Sequence, residues 1–279
     1  MLIGILLMIA TQFFSASVFT AVKVASRRVP TAVIVETGYI ICLVLICLII
    51  FVRRGPSLKT PCLKLQLLRS VSAILFFAGI FVAVKYIPVV DGIVMRCTAP
   101  IWVPLVVLIW LRRRIKPSLW FGIGAGFIGV AMIVHPTFSH LNKGYVIALL
   151  AAVSFAVSSV ATRLLNQRGE PLMRTLFYAF VLPPVAFLPF AYNHYAHISL
   201  EDWLLMGFVG VGTLGLLLCF VSSLRYASPV IILPLTYVGV VIAGFYDWLL
   251  WDHVPSLLSL LGMVVVFFAC TFIVLNGQE

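Results

Sequence analysis

The chain has 279 residues, 63% of them hydrophobic and 10% charged, with a formal net charge of +11 and a mean hydropathy of +1.19. Soluble domains hold about 45–50% apolar and about 25% charged residues, so these values exclude a soluble globular domain and identify a polytopic membrane protein. Lys and Arg cluster between apolar runs, so the positive charge reads as membrane topology and not as nucleic-acid binding.

A bilayer is crossed by roughly 20 apolar residues in a helix. Ten such helices are predicted, at 2–22, 31–52, 67–86, 89–111, 118–136, 144–164, 173–192, 203–224, 229–250 and 257–276. The opening MLIGILLMIA has no basic leader region and is expected to remain as the first span. That helix carries a stripe of Gln12, Ser15, Phe19 and Lys23 at helical spacing. Helix two contains Glu36, with Tyr39 one turn on and on the same face. Helix four contains Arg96, followed by Pro100 and Pro104. Gly122, Gly126 and Gly129 give helix five a small-residue surface for close packing. Helix six carries a stripe of Ser154, Ser158 and Thr162. Pro183 and Pro184 interrupt helix seven, and the Gly207–Gly215 run marks helix eight as a packing surface. Helix nine carries Pro234, Tyr237, Asp247 and Trp248.

Ten spans put both ends of the chain on one side. Thirteen Lys and Arg, Arg69 among them, fall on that side and five on the other, so both termini are expected in the cytoplasm. The implied location is the plasma or inner membrane. The six Cys contain no C-x-x-C and lie mostly in apolar runs, so neither a disulfide framework nor a metal site is expected.

The stretch GILLMIATQFFSASVFTAVKVASRR from Gly4 matches GYVIALLAAVSFAVSSVATRLLNQR from Gly144 at an offset of 140. The same offset pairs Lys85-Tyr86 with Arg225-Tyr226 and Gly122 with Gly262, and an offset of 138 pairs Thr98 with Thr236 and Trp110 with Trp248. A duplication is the economical reading, with units at residues 1–139 and 140–279. An odd number of spans per unit gives the two units opposite orientation. Inverted repeats with a site near the bilayer midplane are a hallmark of secondary transporters. The fold class is therefore all-α and polytopic, with ten transmembrane helices in two inverted-topology five-helix repeats around a central cavity.

The stretch from Arg112 to Leu165, with its basic turn, Gly-rich fifth helix, Pro-containing loop and small-residue sixth helix, resembles the middle of an EamA-type protein of the drug/metabolite transporter superfamily. The run LPLTYVGVVIAGFYDWLLWDHVPSLLSLLGMVVV resembles that family's last two helices. The resemblance implies a ten-helix carrier of small organic solutes, amino acids and S-adenosylmethionine among them. Family members commonly have Glu in the turns after helices four and nine; here those turns hold Arg112-Arg113-Arg114 and Asp252.

Ionisable groups inside spans mark substrate or ion paths by default. Glu36 and Arg96 each lie roughly 10 Å below the outer surface at 1.5 Å per residue. They either form a structural ion pair or split a site, with Arg96 taking a carboxylate or phosphate and Glu36 an ammonium or proton. Gln12, Ser158, Tyr39, Tyr237 and Trp248 complete the candidate binding set. Glu36 and Asp247 are the coupling candidates, and Pro100 and Pro234 the candidate hinges, because each proline removes a backbone donor. The expected partners are a small-molecule substrate, the lipid bilayer, and a proton or an exchanged solute. No cofactor is expected, and no P-loop is present for direct ATP coupling. The leading function is a secondary carrier of a polar metabolite, amino-acid-like or S-adenosylmethionine-like, working by alternating access. Proton-coupled efflux of cationic drugs or amines is the alternative. An intramembrane enzyme or a scaffold is the reading from other classes, although His135, His140, His194, His197 and His253 all fall near helix ends.

Overall fold

The computed structural model describes the chain apart from residues 53, 84, 88, 113–115, 136–141, 192–198, 253–255 and 277–279. Arg53, Arg113, Arg114, His140, His194, His197 and His253 lie outside the described residues, as does the side chain of Asp247. Among the described residues all regular structure is helical.

Among the described residues ten segments are long and apolar enough to cross a membrane. Eight are single helices: α1 Leu2–Ala25, α2 Thr31–Val52, α3 Leu63–Ala83, α6 Pro117–Val134, α7 Lys143–Gln167, α8 Leu172–Ala191, α9 Leu200–Tyr226 and α12 Leu257–Asn276. The fourth span is broken into α4 Val89–Arg96 and α5 Ala99–Leu111. The ninth runs through α10 Pro229–Ile232, a 3₁₀ turn Leu233–Thr236 and α11 Tyr237–Trp251. Both interruptions fall where proline was expected to act. Pro100 has no N–H for the Arg96 carbonyl, and Pro234 has none for Val230. Thr98 and Thr236 each donate a 2.7 Å hydrogen bond back to a carbonyl three residues earlier, Met95 and Leu233. The hydroxyls thus tighten the backbone at equivalent places in the two broken spans.

Helix ends carry ordinary signals. Asn142 accepts from the Gly144 N–H at 2.8 Å and Ser199 from the Asp202 N–H at 3.2 Å, each satisfying an orphan donor of the first turn. Arg112 after α5 and Asp252 after α11, 140 residues apart, both stop their helices in the left-handed region, at φ 51° and 55°.

The bundle is held by pairs. α1 packs on α9, α3 on α7, α6 on α12, and α2 on both α8 and α9; α5 crosses α7 and α11 crosses α1. Exchanging the first five spans for the last five turns α1–α9 into α7–α3 and α5–α7 into α11–α1, and leaves the α6–α12 and α2–α8 pairs unchanged. The correspondence extends to residues. Gly4 abuts Tyr226, and Gly144 abuts Tyr86; Gly122 abuts Ile273, and Gly262 abuts Ile133. The α6–α12 crossing is the tightest of these. A Cβ on Gly262 would stand 2.7 Å from the Gly129 carbonyl oxygen, so the backbones touch as the small-residue pattern predicted. α7 lies innermost: Ala148, Ala151, Ala152, Ala156, Ser159 and Ala161 are buried, and their small side chains admit close neighbours. Large apolar side chains such as Phe51, Phe121, Val185 and Phe267 stand exposed on the perimeter, the surface a bilayer would cover.

Candidate functional site

At mid-height of the bundle lies a cavity walled by α1, α3, the α4–α5 break, α7, α9 and the 3₁₀ turn. The centres of water-sized molecules have about 130 Å³ in it, far more than one water needs. Its polar lining comes from Thr11, Gln12 and Ser15 on α1, Arg69 on α3, Arg96 at the end of α4, Ser158 on α7 and Thr236. Its apolar wall is aromatic. Phe76 of α3, Phe155 of α7 and Phe220 of α9 form a run with centroid distances of 4.7 and 5.8 Å, the second pair stacked at 21°.

Two arginines face this space. Arg69 is 3% exposed, and its Nε donates to the Thr162 hydroxyl at 3.3 Å. Thr162 in turn donates to the Ser158 carbonyl at 2.8 Å, and Ser158 donates to the Arg69 carbonyl at 2.9 Å. This closed set of bonds between α3 and α7 fixes the Arg69 side chain at its Nε. Neither of its terminal nitrogens has a hydrogen-bond partner among the described residues. The Tyr39 ring packs at 6.3 Å against Phe180. Arg96 is half-buried, with its guanidinium 5.0 Å from the centre of the Phe19 ring. A ring face orients a guanidinium without neutralising it.

No carboxylate is among the described residues that line the cavity. The two ion pairs among described residues lie elsewhere, Arg28 with Glu201 and Arg174 with Glu170. The first helical residue of α5, Ala99, is also on the cavity wall, which puts the positive end of that helix dipole there. The cavity is thus cationic, with two guanidinium groups lacking an anionic partner.

The expected binding residues divide. Arg96, Gln12 and Ser158 line the cavity together. Gln12 is 6% exposed, gives its Nε2 only a 3.7 Å contact with the Met8 sulfur, and has its Oε1 against Gly239. Ser158 acts on the Arg69 backbone. Tyr39 is buried and does not line the cavity. Glu36 is 1% exposed and does not reach Arg96: no ion pair joins them, and one of its carboxylate oxygens has no partner. Equal depth did not imply contact, because α2 packs on α8 and α9 whereas α4 packs on α6 and α7. Tyr237 is fully buried outside the cavity, its ring filling the notch left by Gly126 and its hydroxyl unpartnered. Trp248 is 47% exposed and meets Phe245 edge-on at 5.8 Å. It does not line the cavity, and no described residue of α11 beyond Val240 is buried. Pro100 and Pro234 sit at the two helix breaks.

A third span beginning at residue 67 leaves Arg69 among the loop cations. The helix begins at Leu63, which carries Arg69 past the first turn and into the bundle. The signal was available: Arg69, Ala73, Phe76 and Phe77 recur on one helical face, and all four line the cavity.

Comparison with known proteins agrees with this architecture. The profile of the EamA-like transporter family matches twice, over residues 2–135 and 142–275. The pseudopaline exporter CntI of Pseudomonas aeruginosa is 28% identical over 269 residues, covering 96% of this chain and 94% of that one. An S-adenosylmethionine uptake transporter of Rickettsia bellii is 21% identical over 69% of this chain and 66% of its own. A riboflavin transporter of Vibrio cholerae is 23% identical over 78% of this chain and 73% of its own. A solved crystal structure superposes with a TM-score of 0.84 over 99% of this chain and 97% of its own, at 15% identity, a likeness of fold.

Proposed function

Because the chain belongs to the EamA-like transporter family, we propose that it is a secondary carrier whose substrate site is the mid-height cavity. The substrate is a small polar organic metabolite bearing a carboxylate or other acidic group, and it crosses by alternating access. The observation that carries this reading is the pair of cavity arginines, Arg69 and Arg96, with no carboxylate partner in a space of solute size. Buried charges without partners are costly in a membrane and are kept where they serve a path. An amino-acid-like solute suits the site: a carboxylate for Arg96, a flat or apolar portion for the Phe76–Phe155–Phe220 wall, and the Gln12 amide for a remaining polar group. An S-adenosylmethionine-like solute suits it less, because its sulfonium and ammonium groups bring two further positive charges. Efflux of cationic drugs suits it poorly, since a cation would meet two like charges.

The carrier is built from two five-span repeats of opposite orientation, residues 1–139 and 140–279. Support comes from the packing pairs that exchange into one another and from the double match of the family profile. The breaks at Pro100 and Pro234 give the two repeats hinges at equivalent depth. With Arg69 removed from the loop tally, the charge bias still favours cytoplasmic termini. Glu36 is the coupling candidate, as a buried carboxyl with an unsatisfied oxygen apart from the substrate cavity.

The test has two stages. Untargeted mass spectrometry of cells and medium, with and without the chain, identifies the solute whose distribution depends on it. Counterflow of that solute in proteoliposomes then compares the native protein with Arg96→Ala. Saturable counterflow is expected from the native chain and loss of at least about tenfold in rate from the variant, the scale of a charge-assisted contact. Undiminished counterflow by an inserted Arg96→Ala protein refutes the site.

A further inference from the structure

The two arginines occupy different walls, and that separation carries information about the solute. We infer that the cavity selects a solute with two separate acidic groups, one held by Arg69 and the other by Arg96, with its apolar body against the Phe76–Phe155–Phe220 wall. This rests on the reading of the cavity as the substrate site.

Three observations support it. First, Arg69 comes from α3 and is fixed at its Nε by Thr162, so the end of its fork, with two partnerless nitrogens, is the part presented for binding. A carboxylate meets such an end with two parallel bonds. Second, Arg96 comes from the α4–α5 break and is oriented by the face of Phe19. Ring contact leaves the edge of its guanidinium, where the N–H groups lie, for the neighbouring Cys97 thiol and for a second carboxylate. Third, the lining holds no carboxylate of the protein among its described residues, while the α5 N-terminus adds further positive potential. A single carboxylate would leave the loaded cavity with an uncompensated cation, which is expensive in a low-dielectric interior. A diacid makes the loaded cavity electrically neutral, the condition in which it reorients across the bilayer at least cost.

The experiment measures ligand-induced thermal stabilisation of the purified full-length protein at constant ionic strength. The probes are the straight-chain α,ω-dicarboxylates from succinate to sebacate, their monomethyl esters, and inorganic phosphate as a compact dianion. A ligand of the folded state raises its midpoint by mass action. One range of chain lengths is expected to stabilise best, with apparent affinity about 10- to 100-fold above that of the matching monoester, the value of one charge-assisted contact. Arg69→Gln and Arg96→Gln should each bring the diacid down to the level of its monoester, while Arg69→Lys and Arg96→Lys keep part of the preference. The inference is overturned if diacids and monoesters act alike at every length, including no effect from either. It is equally overturned if phosphate matches the best diacid, or if either Gln variant, still folded by its own melting transition, keeps the preference. Counterflow separates this from the carrier reading. Saturable, Arg96-dependent movement of a solute with one acidic group overturns the diacid inference alone. Absence of saturable movement of any solute overturns the carrier reading while the binding preference is still measured.

Discussion

The α6–α12 crossing allows a stability prediction whose size follows from the coordinates. In Gly262→Ala the new methyl carbon would stand 2.7 Å from the Gly129 carbonyl oxygen and 2.9 Å from Met132 Cβ and Ile133 Cγ1. Ordinary contact begins near 3.4 Å, and two of these obstacles are backbone or Cβ atoms with little freedom. The helices must therefore separate by about 0.7 Å at the crossing. Overpacking of this kind costs about 1–3 kcal/mol, and the better helix propensity of Ala returns up to about 1 kcal/mol. A net loss of about 1–2 kcal/mol is expected. Gly124, on α6 itself, is the control: a Cβ there meets nothing within 4 Å. Gly124→Ala should leave stability unchanged or raise it by up to about 1 kcal/mol. Thermal melting of both variants in one detergent, followed by intrinsic fluorescence, reads the contrast. If Gly262→Ala melts with or above Gly124→Ala, the crossing is not as close as described and the packing argument fails.

Three further outcomes follow from other parts of the bundle. Glu36→Gln should change the pH dependence of counterflow, and an unaltered pH profile would remove Glu36 from coupling. Arg174→Ala leaves the Glu170 carboxylate, 4% exposed, with only its 2.6 Å hydrogen bond from Thr60, and should cost about 3 kcal/mol in chemical denaturation. The Arg28–Glu201 pair, 64% and 78% exposed, serves as its control, and Arg28→Ala should melt like the native protein. Tyr237→Phe removes a buried hydroxyl without a partner and should stabilise by about 1 kcal/mol with transport intact; loss of counterflow in that variant would return Tyr237 to the substrate path.

Span number was legible because hydropathy over 20 residues averages out local error in any one helix limit. The breaks at Pro100 and Pro234 were legible because a missing donor acts locally. The cavity was harder. Arg96 announced itself by sitting deep in an apolar run, but Arg69 was hidden by a four-residue error in one helix start, which moved it from bundle to rim. Glu36 and Arg96 share a depth, and depth is all a single sequence gives; whether they meet depends on which helices are neighbours. Trp248 shares a helical face with Tyr237, yet α11 leaves the bundle interior after Val240, so one face spans both core and perimeter. Tyr237 looked like a binding aromatic, but the vacancy beside Gly126 on another helix claimed its ring. Long-range pairing decided each of these cases, and no local pattern encodes it.

The pairing of α1 with α9 and of α3 with α7 also has a consequence for how the protein is made. α1 emerges well before its main partner, which begins on the order of 170 residues later, roughly 10–40 seconds at ordinary synthesis rates. During that interval its buried face, including Gly4, Met8 and Gln12, has lipid or the insertion machinery as its only company. The first half of the chain therefore cannot mature as a finished unit. Its α1 and α3 both wait for helices encoded in the second half, so assembly is late, concerted and vulnerable to truncation anywhere before α9 is complete.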